Sequence, residues 1–174
     1  RDFAPITLAT SSPLMLVVYP GLPVKSVKEL IALAKAKPGE LNYSSSSPGT
    51  PQHIAAELFK TMAGVNVVRI PYKGAGPAVV ALVAGEVLLT FSSAGAAVPH
   101  IKSGRLRALA IASAEPSALA PGLPTVASAG LPGFEAGSLW GFFAPAKTPV
   151  SLITRLQHEI ASALNKPDVK EKLF

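Results

Sequence analysis

The stretch Leu41-Asn42-Tyr43-Ser44-Ser45-Ser46-Ser47-Pro48-Gly49-Thr50-Pro51-Gln52-His53-Ile54-Ala55-Ala56-Glu57-Leu58-Phe59 decides the fold. Leu41–Ser44 reads as a strand, and Ser45-Ser46-Ser47-Pro48-Gly49 as a polar turn. Thr50-Pro51 then opens a helix. Thr50 is its N-cap, and Pro51 takes the first helical position, where a missing N–H costs nothing. This helix runs through His53, Ile54, Leu58 and Phe59 to Gly64, and Val67–Ile70 reads as the next strand. Strand, crossover helix and strand in so short a span make a βαβ unit.

Outward from this unit the punctuation repeats. Upstream, Ile6–Ala9 and Leu14–Tyr19 read as short strands separated by Thr10-Ser11-Ser12-Pro13. Ser26 opens a helix with Glu29 three residues on, a capping box, and Pro38-Gly39 ends it. Downstream, Pro71-Tyr72-Lys73-Gly74 is a turn before a short helix over about Pro77–Ala84 that stops at Gly85. Val87–Phe91 reads as a strand, a helical stretch follows to Lys102 and Gly104, and Leu106–Ala112 is a further strand. The alternation predicts an α/β fold, a mainly parallel sheet flanked by helices. Glu115–Gly137, rich in Pro, Gly, Ser and Ala, reads as a linker with one helical turn at Thr125–Ala129. Ser138–Ala144 then reads as a strand. Thr148-Pro149 repeats the Thr-Pro helix start, and Leu152, Ile153, Leu156 and Ile160 form an apolar stripe in a helical pattern still running at Leu173-Phe174.

Composition narrows the class. With 174 residues, 49% hydrophobic and 15% charged, the chain suffices for one packed domain, or one lobe plus part of another, and is no disordered polyelectrolyte. No apolar run approaches the length of a membrane helix. Sixteen Lys and Arg against ten Asp and Glu give a net charge of +6. The bases (Lys25, Lys28, Lys60, Arg69, Lys73, Lys102, Arg105 among them) are scattered and aromatics are few, so no nucleic acid partner is expected. Without cysteine there is no disulfide, thiolate or Cys-zinc chemistry. The chain begins at Arg1 with no initiator Met and reads as a piece of a longer protein whose signal peptide is not in this chain.

Three strand-end turns are candidate binding sites. In an open α/β sheet, ligands bind beyond the carboxyl ends of the strands, and a helix starting there offers unpaired N–H groups and partial positive charge. Ser44, Ser45, Ser47 and Thr50 add hydroxyls to the first turn, and Gly49 lets backbone approach a ligand: chemistry for a carboxylate. In the second turn, Tyr72 supplies an apolar wall with a phenolic donor and Lys73 a positive charge. Phe91, Ser92 and Ser93 end the third strand. The plain alternative is that Thr50 caps a helix, the serines fill a turn and Lys73 is a solvated side chain. Catalysis has little support. His53, His100 and His158 stand far apart with no metal-ligand spacing, Asp2 and Asp168 are the only aspartates, and there is no nucleophile elbow. No enzyme, cofactor or metal is expected.

These residues also carry a resemblance. Tyr43-Ser44-Ser45, Gly49-Thr50-Pro51-Gln52-His53-Ile54-Ala55-Ala56-Glu57-Leu58-Phe59, Ile70-Pro71-Tyr72-Lys73-Gly74 and Gly76-Pro77-Ala78 closely resemble the substrate-binding proteins of tripartite tricarboxylate transporters, the Bug-type extracytoplasmic solute receptors. Ile101-Lys102-Ser103-Gly104, Leu106-Arg107-Ala108-Leu109-Ala110, Leu123-Pro124-Thr125-Val126 and Trp140-Gly141-Phe142-Phe143-Ala144-Pro145 extend the match along the chain. The resemblance implies a type II periplasmic-binding-protein fold, with a ligand-binding lobe over 1–135 including its linker and an incomplete returning segment of the other lobe over 136–174. It implies a periplasmic protein that captures a small carboxylate (a di- or tricarboxylate, an aromatic acid or an amino acid) between two lobes and delivers it to membrane permease subunits. Ser44, Ser45, Ser47, Gly49, Thr50, Tyr72, Lys73, Phe91 and Ser92 are the ligand-binding residues it implies. That family often has Asp where Ala81, Leu88 and Ser92 stand here, and its members begin before Arg1. A chain lacking those parts would expose apolar surface and self-associate through 138–174. A ligand-sensing or structural α/β module not coupled to transport is the alternative.

Overall fold

The structure, a computed structural model, describes residues 2–118 and 120–169; the expectation for Leu173-Phe174 lies outside them. The chain falls into two compact units, one of Pro13–Ser138 and one made of the residues before Pro13 with those from Leu139 onward. This differs from the division at 135/136 that the sequence suggested. The first dozen residues group with the C-terminal part because β6 (Gly137–Pro145) pairs with β1 (Phe3–Val18). The polar cluster Thr10-Ser11-Ser12-Pro13, read as a turn, is extended backbone inside β1.

In the larger unit, β2 (Asn42–Ser45), β3 (Val68–Pro71), β4 (Leu89–Ser93) and β5 (Arg107–Ile111) join the C-terminal part of β1 in the order β3-β2-β4-β1-β5. β2 pairs in parallel with both β3 and β4, while β1 runs antiparallel to β4 and β5. The sheet is therefore mainly parallel, with one reversed strand inside it. β1 is apolar at every position from Leu14 to Val18 because both of its faces are covered. Leu14, Leu16 and Val18 face α1 (Val27–Ala36) and α2 (Pro51–Ala63), and Val17 faces α3 (Ala75–Ala84) and α4 (Ala94–Lys102).

Local signals act where they were legible. Ser26 Oγ accepts from the Glu29 amide at 3.2 Å, but the Glu29 carboxylate accepts from the Lys25 amide at 2.6 Å, so the capping box closes one residue early. Gly64 and Gly85 end α2 and α3 in the left-handed conformation. α5 (Val150–Leu164) starts after Pro149, which occupies the N-cap position expected for Thr148.

The Glu115–Gly137 stretch is not a linker. Val126 donates its amide to the Ile111 carbonyl and has none of the solvent exposure a linker would have; it and Phe134 are fully buried, and Leu131 is buried. The expected turn at Thr125–Ala129 is present, with the Thr125 hydroxyl accepting from the Ser128 amide at 3.0 Å. Phe134 stacks on Phe91 at 5.7 Å between ring centroids and meets Phe59 edge-on at 6.4 Å. Three elements distant in sequence thus share one aromatic cluster, each pair adding about 0.5–1.5 kcal/mol beyond the area it buries.

Phe134→Ala is expected to destabilise the protein by about 3–5 kcal/mol in denaturant unfolding. A loss below about 1 kcal/mol, the range of a surface change, would mean that this segment is the linker its composition suggests.

Candidate functional site

Because β2, β3 and β4 are parallel, their carboxyl ends, Ser45, Pro71 and Ser93, lie at one sheet edge. α2, α3 and α4 begin directly after them. The chain leaves β2 toward one face, where α2 packs, and leaves β3 and β4 toward the other, where α3 and α4 pack. Loops diverging on either side of β2 open a crevice, the topological switch point at which open α/β sheets take ligands.

The three helices share a second property. None of α2, α3 or α4 has a side-chain cap or an acidic residue in its first turn. α1, which follows β1 from the opposite edge, has both: Ser26 caps it and Glu29 sits in its first turn. The positive ends of the three helices at the crevice are left without a negative group of their own, which suits an anion.

The crevice narrows to a tight cleft with no room for a water molecule, lined by Ser45, Ser46, Gln52, Ala75, Ala78, Val79, Thr90, Phe91 and Ser92. Of the nine residues expected from sequence, Ser45, Phe91 and Ser92 line it. Ser44 is fully buried and donates to the Ala78 carbonyl at 2.9 Å, tying β2 to α3. Phe91 belongs to the aromatic cluster with Phe59 and Phe134. Ser47 and Gly49 are exposed on the turn, Gly49 with φ +80° and its amide donating to His53 Nδ1 at 3.1 Å. Thr50 stands at the N-cap but its hydroxyl turns back to the Ser47 carbonyl at 2.8 Å, so it does not cap α2 with its side chain. Tyr72 packs on the α3–α4 side with its hydroxyl 3.4 Å from the Glu86 carboxylate, and Lys73 is exposed; neither lines the cleft.

Sequence reading missed Gln52, Thr90 and above all Arg69. Thr90 donates to the Ser44 carbonyl at 2.7 Å inside the sheet. The Arg69 side chain donates from Nε to Ser45 Oγ at 2.7 Å and from Nη2 to the Ser46 carbonyl at 2.6 Å. Its position follows from the pairing of Tyr43 with Arg69 across β2 and β3, which no local motif announces. His158 is exposed on α5, as expected of a surface residue.

Behind the turn, the Tyr43 hydroxyl donates to Glu57 at 2.5 Å and Lys60 bridges the same carboxylate at 2.8 and 3.0 Å. Burial, then the hydrogen bond and charge of Glu57, push the Tyr43 phenol well above its ordinary 10.0. Burial would raise the Glu57 carboxyl too, but hydrogen bonds from Lys60 and Tyr43 and the charges of Lys60 and His53 outweigh it and hold the group below its ordinary 4.5. In the smaller unit, a wide groove of about 540 Å³ is lined by Pro5, Ile6, Thr7, Leu8, Leu139, Gly141, Phe142, Phe143 and Gln157, with no titratable group among them.

An open α/β sheet with an anion-suited switch point is the architecture of periplasmic binding proteins of the type II-like fold, and that is the class of this chain. The family model described as the tripartite tricarboxylate transporter family receptor matches residues 1–174, and the chain belongs to that family. Protein BugT of Bordetella pertussis is 39% identical over 171 residues, 98% of this chain and 52% of that protein. The structure of an R. palustris protein with adipate superposes with a TM-score of 0.90 at 38% identity, covering 99% of this chain and 57% of that one. MatC from Rhodopseudomonas palustris, with bound malate, gives 0.89 at 32% identity over 97% and 57% of the two chains. The periplasmic binding protein BugD superposes with a TM-score of 0.89 at 29% identity, over 98% of this chain and 57% of that one. The chain spans about half the length of the relatives it matches.

The Glu57 network sets the acid side of the stability profile. A carboxyl with a depressed pKa contributes stability that is full above its ordinary 4.5 and is lost as pH falls through the lower folded value. Tyr43, raised, contributes below its ordinary 10.0 and loses that contribution as pH climbs beyond it. In thermal melts across pH, Glu57→Gln is expected to flatten the acid limb of the wild-type curve; an unchanged limb would remove Glu57 from this role.

Proposed function

We propose that this chain is the ligand-binding portion of a periplasmic receptor. It captures a small carboxylate at the β2–β4 edge and passes it to the membrane components of a tripartite tricarboxylate-type transporter. The observation that carries this reading is the convergence of three helix N-termini, without side-chain caps or first-turn acids, on one edge lined by hydroxyls. A carboxylate there meets backbone amides and hydroxyl donors already held in place by the sheet, so little ordering entropy is lost on binding. No bond is made or broken; the chemistry is desolvation and hydrogen bonding. The relatives solved with adipate and with malate favour dicarboxylates as the first class to try.

Gln52 lies in the first turn of α2 and lines the cleft, which gives a direct test. Gln52→Glu places a negative charge at the helix start, where it stabilises the helix by about 0.3–1 kcal/mol. In calorimetric titrations with adipate, malate and other small acids, the variant is expected to bind at least about tenfold more weakly with its melting temperature kept or raised. Wild-type protein that binds no member of the panel would overturn the reading.

We also infer that the protein self-associates through 138–174. Trp140 and Phe143 are 65% and 63% exposed, and the described part of α5 buries no residue. A chain that stays monomeric by light scattering at high concentration would sink this inference.

A further inference from the structure

The fold gathers charge that the sequence scatters. β1 ends at Val18, which pairs with Leu89 and Arg107, the first residues of β4 and β5. β2 and β3 begin at the same edge of the sheet, opposite the serine turn. α1 runs along that edge from one border of the sheet to the other. Before its start the Val24 carbonyl accepts from Arg107 Nη1 at 2.9 Å, at the β5 border. Past its end the Gly39 amide donates to the Asn66 carbonyl at 2.9 Å, next to β3. Val27, Leu30 and Ala34 face the core, and Lys28 and Lys35 are exposed.

Six bases meet at this edge without a carboxylate partner among the described residues: Lys25, Lys28, Lys35, Lys102, Arg105 and Arg107. All but Arg107 are exposed. Arg107 ties Val24 to β5, which brings Lys25 to the corner where Lys102 and Arg105 lie. The acids here are few and engaged. Glu29 accepts from the Lys25 amide, Glu40 pairs with Lys37 at 3.0 Å, and the Glu86 carboxylate lies 3.4 Å from the Tyr72 hydroxyl. Positive charge is therefore in excess. At the opposite edge Arg69 and Lys73 stand against Glu115 and Glu135, and the charges balance.

Helix ends do not account for the whole excess. Lys35 and Lys102 sit in the last turns of α1 and α4, where a cation suits the negative end of a helix. Lys25 and Arg105 lie in loops, and Lys28 is in the first turn of α1, where a cation opposes the helix dipole. The bases project from separate elements along an edge rather than around a pocket, so they match a plane of negative charge better than one fitted anion. We propose that this edge docks the protein on an anionic phospholipid surface, with Lys25, Lys102 and Arg105 at the centre of the contact. Each base held within a Debye length of such a surface adds to the attraction. Docking by this edge leaves the cleft at the far edge open to solvent, and it does not depend on what the cleft binds.

The test is sedimentation of the chain with phosphatidylcholine vesicles, with and without phosphatidylglycerol. Binding is expected only where phosphatidylglycerol is present, and should weaken at least tenfold between about 0.05 and 0.5 M salt. Lys102→Glu with Arg105→Glu should lower vesicle affinity by at least about tenfold. Lys147→Glu with Lys166→Glu removes the same charge from exposed positions of the smaller unit and should stay within about twofold of the wild type. Melting curves verify folding, and Lys25→Glu with Lys28→Glu, on a different element, carries the test where the first pair fails to fold. Failure to sediment with phosphatidylglycerol vesicles, equal losses in the two charge-matched variants, or tighter binding to duplex DNA than to the vesicles at the same salt would each overturn the proposal.

Discussion

The parallel pairing of β2 with both β3 and β4 is the constraint on which the rest depends. Parallel neighbours cannot be joined by a tight turn, so each must be reached by a crossover, and each crossover begins at the same edge. Three helix starts are brought together by topology alone. The register is pinned at the other edge by Asn42, whose side chain accepts from the Leu88 amide at 2.9 Å and donates to the Glu86 carbonyl at 3.3 Å. A one-residue slip of β2 would turn Ser45 to the opposite face and break the Arg69 grip.

Much of this was legible because the signals are local. Thr50-Pro51 and the glycines after α2 and α3 fix dihedral angles wherever they occur, so helix limits could be read without a partner. Thr10-Ser11-Ser12-Pro13 has turn composition, which divides β1 in two by sequence, yet the strand runs through it. The Glu115–Gly137 stretch misled for a related reason. Its buried residues, Val126, Leu131 and Phe134, follow no helical or strand period, so nothing in their spacing shows that each inserts into the core of another element.

Strand-end logic singles out loops rather than side chains, because it depends only on the order of elements. It cannot say which hydroxyl faces the cleft: Ser44 and Ser45 are adjacent, yet one ties the sheet to α3 and the other meets Arg69. Likewise Tyr72 and Lys73 are suited to an anion by composition, but Tyr72 turns toward Glu86 and Lys73 to solvent. Arg69 went unnoticed because its role exists only across two strands.

The aromatic cluster bears on how the chain is made. Phe59 and Phe91 are synthesised well before Phe134, and the aromatic cluster lacks its third ring until that residue emerges. Contacts between residues so far apart slow folding, since the loop between them must close before they contribute. Until then two large rings remain solvent-accessible on a partly formed sheet, the kind of surface on which incomplete chains aggregate. A core cluster completed late in synthesis thus makes the nascent chain most vulnerable just before its last ring arrives.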